Sequence, residues 1–203
     1  AKAVEHQIVS EDITQQMREI LRKVVTHGTG RRARGELFID MPSGGKNVPV
    51  RVPAFGKTGS TNDYTTSSFA GFLPYPVKGG KALSPENSYV IATYIGYDKN
   101  EMMRRGGFRV YGSIGGLPLW TDVAKQILNV KEYKETLAKL SANTFAHGEW
   151  PLQVNSRFSP LLVDLPRGSI IRKGEAGSEN WETTNIAKTG ESYRDAFAVE
   201  QLQ

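Results

Sequence analysis

The segment with the clearest potential for chemistry is Lys57-Thr58-Gly59-Ser60, which Thr61 follows. It combines one cation with several hydroxyl groups, side chains that form hydrogen bonds with polar or anionic ligands. A nucleotide phosphate is not the expected ligand. The segment Gly56-Lys57-Thr58 matches the end of a phosphate-binding loop, but the first glycine of that loop is absent and no buried strand precedes the segment. A Lys-Thr-Gly tripeptide is weak evidence by itself, since a second one stands at Lys188-Thr189-Gly190. The surrounding elements must therefore decide its meaning.

Three extended runs near this segment predict an antiparallel meander. Val48 to Phe55 contains two prolines, which suits an edge strand because proline cannot donate to the hydrogen bonds of a sheet. Thr66 to Leu73 and Ser88 to Tyr97 are rich in β-branched and aromatic residues, which are typical of strands. We expect a long loop, rich in Pro, Gly and Lys, from Pro74 to Asn87.

A helix is predicted before the meander, from the N-cap residue Ser10 to the glycines Gly28 and Gly30. Its apolar face consists of Ile13, Met17, Ile20, Leu21, Val24 and Val25. The polar connection from Arg31 to Lys46 is predicted to be a solvated loop, and its basic cluster of Arg31, Arg32 and Arg34 is interpreted in the same way.

A second helix is predicted after the meander, with Pro118 in its first turn. The residues expected to face inward are Trp120, Val123, Ala124, Ile127 and Leu128. An amphipathic piece from Lys131 to Leu140 continues or follows this helix.

An ordered series of short motifs gives the Lys-Thr-Gly segment a context. The series consists of Val24-Val25-Thr26-His27-Gly28-Thr29-Gly30, Phe55-Gly56-Lys57-Thr58-Gly59-Ser60-Thr61-Asn62-Asp63-Tyr64, Phe69-Ala70-Gly71-Phe72, Tyr94-Ile95-Gly96-Tyr97-Asp98 and Gly115-Gly116-Leu117-Pro118-Leu119-Trp120. In order and spacing it resembles the C-terminal half of the transpeptidase domain of class A penicillin-binding proteins. The resemblance covers roughly residues 6 to 128. It implies an α/β (α+β) fold of the β-lactamase and transpeptidase type, with an antiparallel sheet flanked by helices, of which only the C-terminal portion is present.

The resemblance also implies roles for individual residues. Lys57 would place a cation on the strand that faces the nucleophile, where it would assist proton movement and attract the carboxylate of the substrate. Thr58 and Ser60 would donate hydroxyl hydrogen bonds to that carboxylate, and the backbone N–H of Ser60 would form one arm of the oxyanion hole. Gly59 would let the substrate backbone approach, and Thr61 completes the predicted substrate-binding set. The family usually has Thr at the position of Ser60, a change that keeps the hydroxyl.

The nucleophilic serine of the family is missing from this chain. The family carries it in a helical Ser-x-x-Lys motif, and a Ser-x-Asn motif follows. Ser43-Gly44-Gly45-Lys46 matches the letters, but Pro42 and two glycines prevent a helix that holds Ser and Lys on one face. A second set of the family's motifs can be read later in the chain. Its Ser-x-Asn motif would be Ser141-Ala142-Asn143 or Ser178-Glu179-Asn180, and its strand would be Lys188-Thr189-Gly190. Glu191 would then repel a substrate carboxylate, and no meander follows. We therefore expect the isolated chain to be inactive.

The chain is predicted to divide at residue 142. Residues 1–142 carry the transpeptidase-like part, and residues 143–203 form an appendage with a short hairpin, over Leu161 to Leu165 and Ser169 to Ile171, followed by loosely ordered chain.

Composition limits the possible partners and compartments. The 203 residues contain no cysteine, which excludes a disulfide scaffold and a thiolate metal site. His6, His27 and His147 are scattered, so we expect no metal and no other cofactor. The net charge of +5 favours anionic partners without choosing among them. Trp120 and the strand residues Tyr89, Tyr94 and Tyr97 are expected to form core and rim, not a base-stacking platform.

By resemblance, the expected partners are a peptidoglycan stem peptide or a β-lactam, and the remainder of the transpeptidase domain that carries the serine. The parent protein would be bifunctional, with a glycosyltransferase domain and a membrane anchor, and would act at the extracytoplasmic (periplasmic) face of the bacterial cytoplasmic membrane. Nucleic acid is not expected. The alternatives are a non-catalytic module that binds peptidoglycan or a protein, and a nucleic-acid-binding surface around Arg31, Arg32 and Arg34, whose binding would fall steeply with salt.

Overall fold

A computed structural model of the chain describes residues 9–43, 45–79, 81–130, 132–140, 145, 148–153, 158–164, 169–171 and 181–187. Within these residues the helices are α1 (Glu11–Thr26), α2 (Arg31–Arg34), α3 (Gly116–Val130) and α4 (Tyr133–Leu137). The strands are β1 (Phe38–Ser43), β2 (Lys46–Arg51), β3 (Phe55–Ser60), β4 (Thr66–Pro76), β5 (Leu83–Gly96), β6 (Arg104–Arg105), β7 (Phe108–Arg109), β8 (Phe158–Asp164), β9 (Ser169–Ile171) and β10 (Trp181–Ala187). These strands pair antiparallel. The predicted class, antiparallel sheet with flanking helices, is confirmed.

The chain divides into two compact units. One comprises Ala1–Glu19 with Val154–Gln203, and there β8 lies between β10 and β9 in a three-stranded sheet. The pairing of β8 with β9 confirms the predicted hairpin. The expectation of loosely ordered chain beyond it is wrong for β10, whose aromatic and β-branched residues favour a strand. The domain boundary after residue 142 stays a prediction.

The other unit, Ile20–Gln153, is built on a sheet with the order β3-β4-β5. Helix α3 packs on one face of this sheet, which we call the inner face: Trp120 contacts Phe69 with ring centroids 5.0 Å apart and donates its Nε1–H to the Ile91 carbonyl at 3.0 Å. Side chains alternate along a strand, so the residues next to Phe69 lie on the opposite side, the outer face. The register pairs Ala70 with Ala92 there.

The inner face supplies the hydrophobic core. Phe69, Leu73, Leu117, Trp120 and Ala124 are fully buried. The same cluster includes residues from β1, β2 and α4, namely Ile39, Met41, Val50, Tyr133 and Leu137. Burial of aromatic and aliphatic side chains of this size is the main stabilising contribution to such a unit.

Helix α1 begins as predicted, because the Ile13 N–H donates to the Ser10 Oγ at 3.3 Å. Its apolar face is only partly covered: Val25 is buried, whereas Ile13, Met17 and Ile20 are exposed. An uncovered apolar face is typical of a surface that packs against other polypeptide.

The connection between α1 and β2 was predicted to be a loop, and this prediction is wrong. It contains α2 and β1, and β1 pairs with β2 from Phe38↔Arg51 to Ser43↔Lys46. The strand has a clear alternation, with Ile39 and Met41 buried and Phe38 and Asp40 exposed. Burial of one side of this hairpin outweighs the loop-forming tendency of Pro42 and the glycines.

Two boundaries of the predicted meander also differ. The run from Val48 to Phe55 is not one strand, since β2 ends at Arg51 and β3 begins at Phe55, so Lys57 lies inside β3. The predicted long loop is short, because β4 extends to Pro76 across an irregularity between Pro74 and Tyr75, and β5 begins at Leu83.

The predicted second helix is confirmed as α3, and its inward residues are mostly correct. Trp120, Ala124 and Leu128 are buried, and Ile127 packs partly buried against the core. Val123 is exposed instead, because it lies outside the arc of the helix that Leu117, Trp120 and Leu128 define.

Candidate functional site

The Lys-Thr-Gly segment lies on β3, at the edge of the main sheet. Its register with β4 is Lys57↔Ala70, Thr58↔Phe69 and Gly59↔Ser68. Within the described residues, β4 is the strand that pairs with β3. Among the described residues β3 is therefore an edge strand, and one of its sides is left for an added strand.

Alternation along β3 separates the candidate residues onto two faces. Thr58 and Ser60 pair with Phe69 and Ser67 on the inner face, whereas Lys57 and Gly59 lie on the outer face. Lys57 is exposed, and its ammonium donates to the carbonyl of Thr58 at 2.8 Å. The same ammonium donates to Thr58 Oγ1 at 3.4 Å, so the cation lies beside this hydroxyl although the two side chains start from opposite faces.

The hydroxyl of Thr58 is held by the end of the first helix. Thr29 Oγ1 lies 2.7 Å from Thr58 Oγ1. Gly28 and Gly30 make this approach possible: a Cβ at Gly28 would stand 2.9 Å from the Val24 carbonyl oxygen, and the Gly30 N–H donates to that same oxygen at 2.9 Å. Thr29 belongs to the motif series, but sequence reasoning gave it no role at the site.

The hydroxyl of Ser60 is held by the segment that leads into α3. The Gly112 N–H donates to Ser60 Oγ at 2.9 Å. A Cβ at Gly112 would lie 2.7 Å from Thr58 Cβ and 2.9 Å from the Gly59 carbonyl oxygen, so only glycine fits there. Gly112 is a second residue of the site that the sequence did not reveal.

Gly59 has a structural reason to be glycine as well as its predicted role. A Cβ at this position would stand 2.4 Å from Ser68 Oγ on β4. Gly59 therefore permits close packing of the two strands, and its role in admitting a substrate backbone stays a prediction.

Thr61 organises the turn after β3. Its Oγ1 accepts hydrogen bonds from the N–H groups of Thr65 at 2.9 Å and Thr66 at 3.0 Å. The turn also contains Tyr64 with a positive φ of 54°. Thr61 thus fixes the loop that joins β3 to β4, and its contact with a substrate stays a prediction.

The segment that matched the letters of the nucleophile motif is a hairpin end. Ser43 ends β1, Lys46 begins β2, and the two are register partners. They do not share a helix face, as expected from sequence. Ser141-Ala142-Asn143, Ser178-Glu179-Asn180, Lys188-Thr189-Gly190, His6 and His147 lie outside the described residues.

The part of the chain that the structure describes contains no group of His, Cys, Asp and Glu able to hold a metal ion. His27 Nδ1 lies 2.8 Å from the hydroxyl of Thr26. Among the described helices, none is long and apolar enough to cross a membrane.

No family model matches the chain. Its curated relatives include penicillin-binding protein 1A of Neisseria cinerea, 33% identical over 176 residues, which cover 82% of this chain and 18% of that protein. Penicillin-binding protein 1A of Aquifex aeolicus is 33% identical over 109 residues, covering 54% of this chain and 11% of that protein. A crystal structure of penicillin-binding protein 1A from Haemophilus influenzae matches with a TM-score of 0.46 and 20% identity, covering 87% of this chain and 20% of that one.

The chain is homologous to a part of the class A penicillin-binding proteins, which confirms the resemblance found in the motif series. The chain spans less than a fifth of the length of these penicillin-binding protein 1A relatives.

Proposed function

We propose that this chain is part of a serine D,D-transpeptidase that cross-links peptidoglycan stem peptides and is acylated by β-lactams. It supplies the Lys-Thr-Gly substrate strand, and the nucleophilic serine belongs to another part of the transpeptidase domain. In the reaction the serine oxygen attacks the carbonyl of the penultimate D-alanine, and the terminal D-alanine leaves. The isolated chain is inactive in this proposal.

The observation that carries the proposal is the position of Lys57 to Ser60 on an edge strand. A peptide that adds as a further strand pairs with backbone groups of the edge, and the side chains of the edge then select its end group. Thr29 and Gly112 hold the hydroxyls of Thr58 and Ser60 in place, so these donors are preorganised.

The proposed roles follow this geometry. Lys57 attracts the substrate carboxylate and assists proton movement, and Thr58 and Ser60 hydrogen-bond to that carboxylate. The backbone N–H of Ser60 provides one arm of the oxyanion hole. Gly59 admits the substrate backbone, and Thr61 lines the same end of the strand.

The outer face supports the proposal that further polypeptide completes the site. Val90 is 81% exposed and Tyr94 is 61% exposed, although both lie within the long strand β5. Lys57 lies on that face. A segment that covered Val90 and Tyr94 would approach Lys57, which is where a nucleophile is needed. The complete protein would be anchored in the cytoplasmic membrane with this domain in the periplasm.

A chimera tests the catalytic proposal. Residues 20–153 would replace the aligned segment of a penicillin-binding protein 1A, and acylation by fluorescent penicillin would be timed. We expect Lys57→Ala to slow acylation by about 100-fold or more, the scale of losing one electrostatic contact to a transition state. The matched control is Lys46→Ala, an exposed lysine on the β1–β2 hairpin, which should leave the rate within about twofold.

Intact mass of the unaltered chain after incubation with benzylpenicillin is the second measurement. An unchanged mass is expected, and a covalent adduct would place a nucleophile within the chain.

A folded chimera whose Lys57→Ala variant is acylated at the parent rate would remove the proposed role of Lys57. A folded chimera that is never acylated, together with binding of the chain to peptidoglycan, would favour the non-catalytic module.

A further inference from the structure

The small β6–β7 hairpin carries two arginines side by side. Arg104 on β6 and Arg109 on β7 are register partners, so their side chains leave the same face of the hairpin. Both residues are exposed. Like charges directly opposite each other on two strands repel, and an anion that contacts both of them removes this repulsion.

Arg109 is held in place by an aromatic ring. Its guanidinium lies 5.2 Å from the ring centroid of Tyr64, and its Nη1 donates to the Tyr64 hydroxyl at 3.2 Å. A guanidinium has five N–H donors, so further donors are left for a ligand. In the part of the chain that the structure describes, neither Arg104 nor Arg109 forms an ion pair with an acidic side chain.

The hairpin is attached to the turn that follows the Lys-Thr-Gly strand. The Met103 N–H donates to the Tyr64 carbonyl at 2.9 Å, and the Val110 N–H donates to the Met103 carbonyl at 3.0 Å. Tyr64 has a positive φ of 54°, which bulky residues seldom adopt, and such exceptions cluster at functional sites. This turn therefore fixes the position of the arginine pair at the end of β3.

The segment after the hairpin reaches the proposed substrate site. The Gly112 N–H donates to Ser60 Oγ at 2.9 Å. Arg109 precedes Gly112 by three residues, so the Cα atoms of these two residues are separated by at most about 11 Å. An extended peptide spans about the same distance with three residues.

The proposed roles of β3 set the direction of a bound peptide. The terminal carboxylate meets the hydroxyls of Thr58 and Ser60, and the carbonyl that precedes it in the peptide meets the backbone N–H of Ser60. Later positions of the strand thus meet earlier positions of the peptide, which is the antiparallel arrangement. The peptide residues before the reacting carbonyl therefore extend past Ser60, toward the turn that contains Tyr64.

We propose that Arg104 and Arg109 form a subsite for a carboxylate of the substrate peptide, on a residue that precedes the reacting carbonyl. This inference rests on the proposed function of β3. Guanidinium groups suit the ligand, because their paired N–H donors match the two oxygens of a carboxylate. The subsite selects acidic over neutral peptides and takes no part in making or breaking bonds.

The test compares two peptides that end in D-Ala-D-Ala and carry either glutamate or glutamine at both preceding positions. Each peptide is titrated into the unaltered chain at low ionic strength, and the backbone N–H signals are followed by NMR. We expect the glutamate peptide to bind about fivefold more tightly, because it adds charge-assisted hydrogen bonds. Both peptides should shift the signals of Thr58 and Ser60, and only the glutamate peptide should shift those of Arg104 and Arg109.

Two neighbouring variants separate a subsite from general charge. Arg104→Gln should reduce the preference for the glutamate peptide to less than about twofold. Arg105→Gln removes the same charge from the opposite face of the hairpin, where Phe108 is its register partner, and should keep the preference within about twofold of the original. An equal loss in both variants would show attraction by general surface charge and would overturn the subsite.

The titrations also distinguish the failure of the subsite from the failure of the proposed function. Equal affinity for the two peptides, with shifts at Thr58 and Ser60, would overturn the subsite and leave the substrate strand in place. An absence of shifts at Thr58 and Ser60 with either peptide would contradict the proposed role of the strand, and the subsite would be rejected with it.

Discussion

The two faces of the main sheet carry different kinds of residue. On the inner face, Phe69 and Ser67 are completely buried under α3. On the outer face, Val90 and Tyr94 are largely exposed. The same three strands therefore form a buried core on one side and leave apolar side chains exposed to solvent on the other.

This difference suggests that residues of the inner face stabilise the fold and that exposed residues of the outer face serve the proposed function. Residues of the inner face contact residues of the same unit, so their substitution should alter the stability of the isolated chain. The outer face is covered at one end, where Phe55 and Phe72 stack with ring centroids 4.5 Å apart. Its exposed residues Val90 and Tyr94 should instead tolerate substitution without loss of stability, and their substitution should affect only assembly with further polypeptide. Three measurements test this separation.

The largest effect is expected from the core. Phe69→Ala should lower the free energy of unfolding by about 3–5 kcal/mol, because it removes a buried aromatic ring that packs on Trp120. Val90→Ala, on the outer face of the neighbouring strand, should change it by less than about 0.5 kcal/mol. Urea denaturation of both variants measures the contrast. A loss at Val90 as large as that at Phe69 would mean that the outer face is already covered within this chain.

Two adjacent serines on opposite faces should differ less in the stability that their substitution costs. Ser67 Oγ accepts the N–H of Gly116 at 2.9 Å, and both groups are buried. Ser67→Ala should cost about 1–3 kcal/mol, because it leaves a buried donor unsatisfied. Ser68→Ala, one residue further and on the outer face, should cost less than about 0.5 kcal/mol. The same denaturation assay applies, and equal costs would contradict the assignment of faces.

The smallest of the three effects is expected from alkaline pH, which should lower the free energy of unfolding through Tyr75 on the inner face. The Tyr75 hydroxyl donates to Glu132, and this bond, with burial next, raises the pKa of Tyr75 to about 12. Between the unfolded pKa of about 10 and this value, the folded state holds a proton that the unfolded state has lost, so stability falls as the pH rises. Burial also raises the pKa of Tyr133, which packs beside Tyr75.

Tyr75→Phe should therefore reduce the loss of stability between about pH 9 and about pH 11.5. The measurement is urea denaturation at both values, with the unaltered chain as reference. An identical loss in the variant would show that Tyr75 does not contribute to the alkaline transition.

Local pattern was sufficient to predict much of this unit. The β-branched and aromatic runs predicted β4 and β5, and the capping serine predicted the start of α1. Strand β1 was not predicted, because the connection from Arg31 to Lys46 is polar and contains glycine, and the buried alternation of Ile39 and Met41 is short.

Other features depend on contacts between distant parts of the sequence. The hydroxyls of Thr29 and Thr58 meet across 29 positions, and Arg22 pairs with Glu149 across 127. No local spacing encodes such a meeting, because it arises only when helix, strand and loop are packed together. Gly28 and Gly30 were visible in the sequence, but only as the end of the helix. Gly112 was not identified, although a Cβ at this position would lie 2.7 Å from Thr58 Cβ.

The buried indole of Trp120 gives this protein an internal optical reporter. Its ring touches Phe69, the register partner of Thr58, and its N–H is bonded to β5. An indole in such an apolar enclosure emits at shorter wavelength than one in water. A change in the spacing between α3 and the strands beneath it would therefore alter the emission wavelength and lifetime of Trp120, which a variant without Trp150 and Trp181 would report alone.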